Sequence, residues 1–176
     1  MPTAGTLTLD GKTIEVHGLS WMDHEFGTSF LEGGQQGWNW FALQLDDDTE
    51  LMLYEFRRSD GKRDAHSNGS FVDELGRRTL LRMADFTMTP TERWTSPGSH
   101  AVYPVGWTLR LPGHNLDLRV RAAVPQQELV TARSAGVTYW EGAVLVEGTR
   151  SGRSVRGRGY LEMTGYAGTG MSTVLR

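Results

Sequence analysis

Apolar and polar residues alternate with a period of two along most of this chain, in short runs. Thr6-Leu7-Thr8-Leu9 and Thr13-Ile14-Glu15-Val16 flank Asp10-Gly11, a dipeptide suited to the positive-φ positions of a tight hairpin turn. Trp38–Leu45 and Glu50–Phe56 are aromatic and aliphatic and flank the acidic turn Asp46-Asp47-Asp48-Thr49, which predicts a second hairpin. Ser70–Val72 and Thr79–Leu81 around Asp73–Gly76 predict a third. Trp107–Leu111 and Leu116–Val124 flank Pro112-Gly113-His114. In that second strand Leu116, Leu118, Val120 and Ala122 alternate with Asp117, Arg119 and Arg121, giving one buried and one solvated face. Tyr139–Gly148 and Val155–Tyr166, joined by Thr149–Gly152, read as the last pair.

The remaining stretches are less regular. Leu19–Glu25 reads as a strand set off by Gly18, and Gly27–Gly37 as a glycine-rich loop. Phe86–Thr91 alternates and is expected to end at Pro90. Thr95–Gly106 holds Pro97, Gly98 and Pro104, which predicts irregular backbone or an edge. Pro125–Gly136 is the one place where a turn of helix fits. There is no sustained 3.6-residue apolar period and no long repeat. Roughly nine or ten strands at spacings of about 8–12 residues predict an all-β, antiparallel sandwich or barrel. The absence of an internal linker predicts one domain over residues 1–176.

Composition narrows the partners. A chain of 176 residues is long enough for a real core. A net charge of −3 gives no electrostatic footprint for nucleic acid. The arginines at Arg77, Arg78 and Arg82 and from Arg150 to Arg158 are diluted by Glu and Gly and read as solvated strand faces. With no cysteine, disulfides and thiolate metal sites are excluded. The start, MPTAGTLTLDGK, lacks the regions of a signal peptide, and no apolar run approaches a membrane span. A cytoplasmic chain is therefore expected, with no nucleic-acid partner and no membrane span.

Candidate chemistry gathers in Gly18–Trp40, GLSWMDHEFGTSFLEGGQQGWNW. Asp23, His24 and Glu25 lie side by side, between Trp21 and Phe26 and ahead of Trp38 and Trp40. In a strand, Trp21, Asp23 and Glu25 share one face, and Met22 and His24 the other. A carboxylic acid walled by rings loses solvation as an anion, so it can hold a proton near neutrality and act as a general acid. The plainer reading is a strand whose polar residues pair with Arg or cap a turn. A metal site would need His24 with Asp23 or Glu25 and one of His17, His66, His100 or His114. These are scattered without HxH or HExxH spacing, and no metal is expected.

Rings recur on the strands at Trp38, Trp40, Phe41, Tyr54, Trp107, Tyr139, Trp140, Tyr160 and Tyr166. They either line a cavity for an apolar, cation-forming ligand or fill a core. Glu141, in Tyr139-Trp140-Glu141-Gly142, is a second acid beside rings, either a partner for Asp23 or a mate for an Arg. No GxSxG, no GxGxxG after a strand and no Walker A loop is present.

The run GLSWMDHEFGTS, then GWNWFALQLDDDTELMLYEFRRSDG, and later VTYWEGAVLVEGT and GRGYLEMTGY, resembles the lipocalin-like family of carotenoid hydratases and AttH-like proteins, in particular its C-terminal domain. The resemblance spans most of the chain in motif order. It implies a lipocalin-like antiparallel barrel with an interior ligand cavity. It also implies a proton-donating aspartate at Asp23, with His24 following it, and an aromatic pair at Trp38 and Trp40. Relatives that act as cyclases show that the scaffold supports more than one chemistry. The family's first domain is not among these residues. Three arrangements stay open: a single-domain member, a homodimer that supplies the second wall, or a piece of a two-domain protein.

The expectation is a cofactor-free enzyme acting on an apolar, unsaturated small molecule of terpenoid or polyketide type, by alkene protonation followed by hydration or cyclisation. Asp23 donates the proton and His24 or Glu25 holds it in place. Trp21, Trp38, Trp40, Tyr54, Trp107, Tyr139, Trp140, Glu141 and Tyr160 bind the ligand. Two alternatives are a pericyclase that works by cavity shape and a barrel that binds a hydrophobe without chemistry.

Overall fold

The paired runs fold as the alternation predicts. The structure is a computed structural model and describes residues 1–24, 31–131 and 136–168. Strands β1 (Pro2–Leu9) and β2 (Lys12–Leu19) form a separate two-stranded sheet. They turn through Asp10 and Gly11, both at positive φ (49° and 75°). The second sheet has ten strands: β3 (Gln35–Leu45), β4 (Glu50–Arg58), β5 (Asn68–Val72), β6 (Arg78–Arg82), β7 (Thr87–Thr95), β8 (Val102–Leu111), β9 (Leu116–Ala122), β10 (Glu128–Val130), β11 (Thr138–Arg150) and β12 (Arg153–Thr164). Their order is β6-β5-β4-β3-β12-β11-β9-β8-β7, with β10 paired to β11. All these pairings are antiparallel. The sheet curls into a half-barrel, the all-β architecture the sequence predicts. No helix among the described residues is long and apolar enough to cross a membrane.

The alternation decides which side chains fill the curl. Leu116, Leu118, Val120 and Ala122 of β9 are buried while Asp117, Arg119 and Arg121 are exposed. Inward positions of the other strands join them: Phe41, Leu43, Leu51, Leu53, Leu109, Leu161 and Met163 belong to one buried cluster. Each large apolar side chain removed from water contributes about 1.5–3 kcal/mol. Strand β3 departs from alternation, because every residue from Trp38 to Leu43 is buried. Its odd positions enter the core, and its even positions Trp38, Trp40 and Ala42 form a second cluster on the outer face.

Four local expectations are corrected. Strand β2 runs through Gly18 and stops at Leu19, and Ser20–His24 have no regular structure where a strand was expected. In Pro125–Gly136 the regular structure among the described residues is a short strand, Glu128–Val130, paired with Thr138–Trp140, not a helix. Pro90 bends β7 without ending it. The register shifts between Pro90 and Glu92 and again before Arg93, at the edge of the sheet, where a missing N–H interrupts no inner ladder. Strand β8 begins at Val102, so Pro104 and Gly106 lie within a strand, opposite that bulged segment.

Candidate functional site

Two tryptophans on β3 build the outer-face site. Register places Glu162 of β12 opposite Trp40, and Tyr54 of β4 on the other side of Trp40. Directly paired residues share a face, so Trp38, Trp40, Tyr54, Tyr160 and Glu162 project together. Trp38 donates its indole N–H to Glu162 Oε1 at 2.7 Å. Its ring lies 6.0 Å from Tyr54, which meets Phe56 edge-on at 4.5 Å. Trp21, just beyond β2, meets Trp40 edge-on at 6.4 Å and donates its N–H to Asp23 Oδ1 at 3.0 Å. An open cleft of about 830 Å³ runs between this segment and the sheet, lined by Leu19, Trp21, Asp23, Trp40, Tyr160 and Glu162 among others. A hollow of about 270 Å³ shares Asp23, Trp40 and Glu162 with it and adds Trp38 and Tyr54.

Acidic groups concentrate beside the rings. Glu141 of β11 stands opposite Glu162. Burial, then the carboxylates of Glu162 and Glu141, push the Tyr139 hydroxyl up. Burial and the same two acids push Tyr160 up as well. Both phenols therefore stay protonated and able to donate hydrogen bonds at neutral pH.

The structure divides the expected site residues between two faces of one sheet. Trp21, Asp23, Trp38, Trp40, Tyr54, Tyr139, Glu141 and Tyr160 belong to the outer side or the segment packed on it. Trp107 and Trp140 do not: both are buried in the core inside the curl. The Trp140 indole donates to the Pro125 carbonyl at 2.7 Å, and that of Trp107 to the Pro104 carbonyl at 3.0 Å. Asp23 is exposed at the lip of an open cleft rather than enclosed by strands. The curl that was to enclose it is filled by Phe41, Trp107, Trp140 and their aliphatic neighbours. His24 is exposed beside Asp23. Glu25 lies outside the described residues. Among the described residues no three His, Asp or Glu side chains gather to hold a metal ion.

Glu162 was not among the expected site residues, although GRGYLEMTGY contains it. Its signal was spacing: Tyr160 and Glu162 alternate with Leu161 and Met163, so an acid and a ring share the face opposite the core. A second group was also missed. Asn39, Glu55, Arg57, Arg63 and Tyr166 form a polar cluster around a hollow of about 300 Å³. Along β4, Leu51 and Leu53 are followed at the same two-residue step by Glu55 and Arg57, a buried apolar stripe that turns charged. Burial pushes the Glu55 carboxyl up, against the opposing pull of Arg63, Asn39 and Arg57.

The family profile described as AttH-like matches residues 1–166. Kievitone hydratase from Fusarium solani subsp. phaseoli is 24% identical over 174 residues, covering 92% of this chain and 46% of that protein. A crystal structure of an AttH protein from Nitrosomonas europaea is 33% identical, with a TM-score of 0.83, over 94% of this chain and 49% of that one. Kievitone hydratase from Nectria haematococca, at 17% identity and a TM-score of 0.66, shares the fold over 92% of this chain and 49% of its own. The chain thus spans about half the length of the relatives it matches. With its profile matched from the first strand to the end of the last, the chain belongs to the AttH-like family.

Proposed function

We propose that this chain carries the site of a hydratase-type enzyme that adds water to an alkene of an apolar substrate. The outer-face cleft is the site. The observation that carries the reading is the placement of two carboxylates, Asp23 and Glu162, around the exposed side of Trp40 in one ring-lined cleft. Similarity to a protein named kievitone hydratase supports the reaction class. Asp23 gives a proton to one alkene carbon, and the positive charge formed on the other lies against Trp40 and Trp21. A well-placed ring face stabilises such charge by about 0.5–2 kcal/mol. Water adds to the cation and releases a proton to Glu162. Solvent reprotonates Asp23 and takes the proton from Glu162, so the net change is one water added across the double bond. Terpenoid or polyketide substrates fit the apolar cleft, and the same cation captured by a second double bond gives cyclisation.

Binding without chemistry is the second reading, and the exposure of Asp23 favours it, because the carboxyl is not enclosed with a ligand away from water. The test is incubation with kievitone and a panel of apolar alkenes in heavy-oxygen water, with mass spectrometry of products. Labelled hydrates support the hydratase. Tight binding of an apolar fluorescent probe with no labelled product supports the binding module.

A further inference from the structure

The polar cluster inside the curl has no part in the outer-face chemistry, and among the described residues its charges do not balance. Glu55 on β4 lies between two guanidinium groups: Arg63 Nε is 3.0 Å from Glu55 Oε1, and the Arg57 charge also acts on the carboxylate. Asn39 donates to Glu55 Oε2 at 3.3 Å, and the Tyr166 hydroxyl donates to Asn39 Oδ1 at 2.9 Å. The Arg57 guanidinium carbon sits 3.8 Å over the Tyr166 ring. The other cations lining the hollow have their own partners. Arg58 pairs with Asp64 at 2.7 Å, and Lys62 approaches Asp60 at 3.8 Å. Among the described residues, two arginines acting on one carboxylate leave one positive charge over.

The donors are also in surplus. Arg57 Nη2 donates to the Thr164 carbonyl. Arg63 Nη1 reaches the carbonyls of Met83 and Phe86 at 3.4 and 3.2 Å. Two further guanidinium nitrogens, Arg57 Nε and Arg63 Nη2, are buried with no hydrogen-bond acceptor among the described residues. Buried donors without acceptors are costly, and guanidinium forks match planar oxyanions in geometry and charge. The hollow beside them, of about 300 Å³, has Met88, Pro90 and Trp107 on its apolar side.

We propose that this hollow is a binding site for a small organic monoanion, a carboxylate on an apolar body, separate from the outer-face cleft. One surplus positive charge matches one negative charge, whereas a phosphate dianion would leave a net negative charge next to Glu55. The donors of Arg57 and Arg63 take the carboxylate, and the apolar side takes the body.

The test is calorimetric titration of the whole chain with hexanoate, against hexanol and hexyl phosphate. Hexanoate is expected to bind at least about tenfold tighter than either. Arg63→Gln is expected to weaken it by about tenfold or more, the effect of a lost charge-assisted hydrogen bond. Glu55→Gln removes the competing carboxylate and is expected to tighten it, a result that a purely structural role for the cluster would not give. Should Arg63→Gln fail to fold, the Glu55→Gln arm decides. Hexanol binding as tightly as hexanoate, hexyl phosphate binding tighter, or a Glu55→Gln chain with unchanged or weaker hexanoate affinity overturns the proposal.

Discussion

Trp38 reaches diagonally from β3 to β12 and donates its indole N–H to Glu162 at 2.7 Å. This bond fixes a carboxylate beside Trp40 and Asp23, in the hollow those residues share with Trp38. Trp38→Phe keeps an aromatic ring and removes the donor. Loss of a hydrogen bond to a charged group is expected to lower kcat about tenfold, with KM little changed. Trp40→Ala removes a cleft wall instead and is expected to raise KM. Steady-state kinetics on the best alkene of the panel separates the two effects.

Trp140 and Tyr160 lie on adjacent strands of the same sheet but face opposite ways. Trp140 is fully buried in the core and Tyr160 is 40% exposed. Trp140→Ala is expected to cost about 3–5 kcal/mol, the range for large aromatics removed from cores. Tyr160→Ala is expected to stay within about 0.5 kcal/mol, as for surface positions. Urea unfolding followed by circular dichroism measures both. A cost for Trp140→Ala no larger than that of Tyr160→Ala would show that the inside of the curl is not the packed core.

Gly159 marks a close approach between β12 and β3. A Cβ there meets the backbone carbonyl of Ala42 and the side chain of Leu43, its partner across the ladder. The backbone oxygen cannot swing aside as a flexible side chain does. Gly159→Ala is expected to destabilise by about 1–3 kcal/mol, as other overpacking changes do. Gly113→Ala has open space and serves as the control in thermal unfolding.

Asp64 ties the loop between β4 and β5. The backbone N–H of His66, then the Arg58 guanidinium, hold its carboxyl well below the ordinary Asp value of 3.8. The folded pKa is thus below the unfolded one. The stabilising contribution is complete above the unfolded value and is lost as pH falls toward the folded one. Stability measured from pH 5 downward is expected to fall less steeply in Asp64→Asn than in the parent chain. Parallel slopes for the two proteins would contradict this role.

Turn chemistry made much of the fold legible. Asp10-Gly11, Asp46–Thr49, Pro112–His114 and Ser151-Gly152 each sit between alternating runs, and each joins the strands it flanks. The segment ending in Asp23 was less readable, because Trp21-Met22-Asp23 alternates as a strand does but finds no strand to pair with. The face of the site was least readable. On β9 one glance separates buried from solvated positions, but β3 is buried on both sides from Trp38 to Leu43. Alternation there gives two faces without saying which is enclosed. Alternation alone therefore groups Trp38 and Trp40 with Trp107 and Trp140, which pack on the opposite side of the sheet. Glu55 and Arg57 were missed because charges after a strand of leucines read as the strand leaving the core, whereas β4 keeps its inward face through both.

In the proposed hydratase, Asp23 supplies the proton in a ring-lined cleft on the outer face. The most direct test is Asp23→Asn, assayed for incorporation of heavy oxygen into product and titrated in parallel with an apolar probe of the cleft. Loss of a positioned general acid lowers turnover by about 10²–10⁴-fold, and that loss is expected with probe affinity unchanged. Turnover by Asp23→Asn at the rate of the parent chain would contradict it.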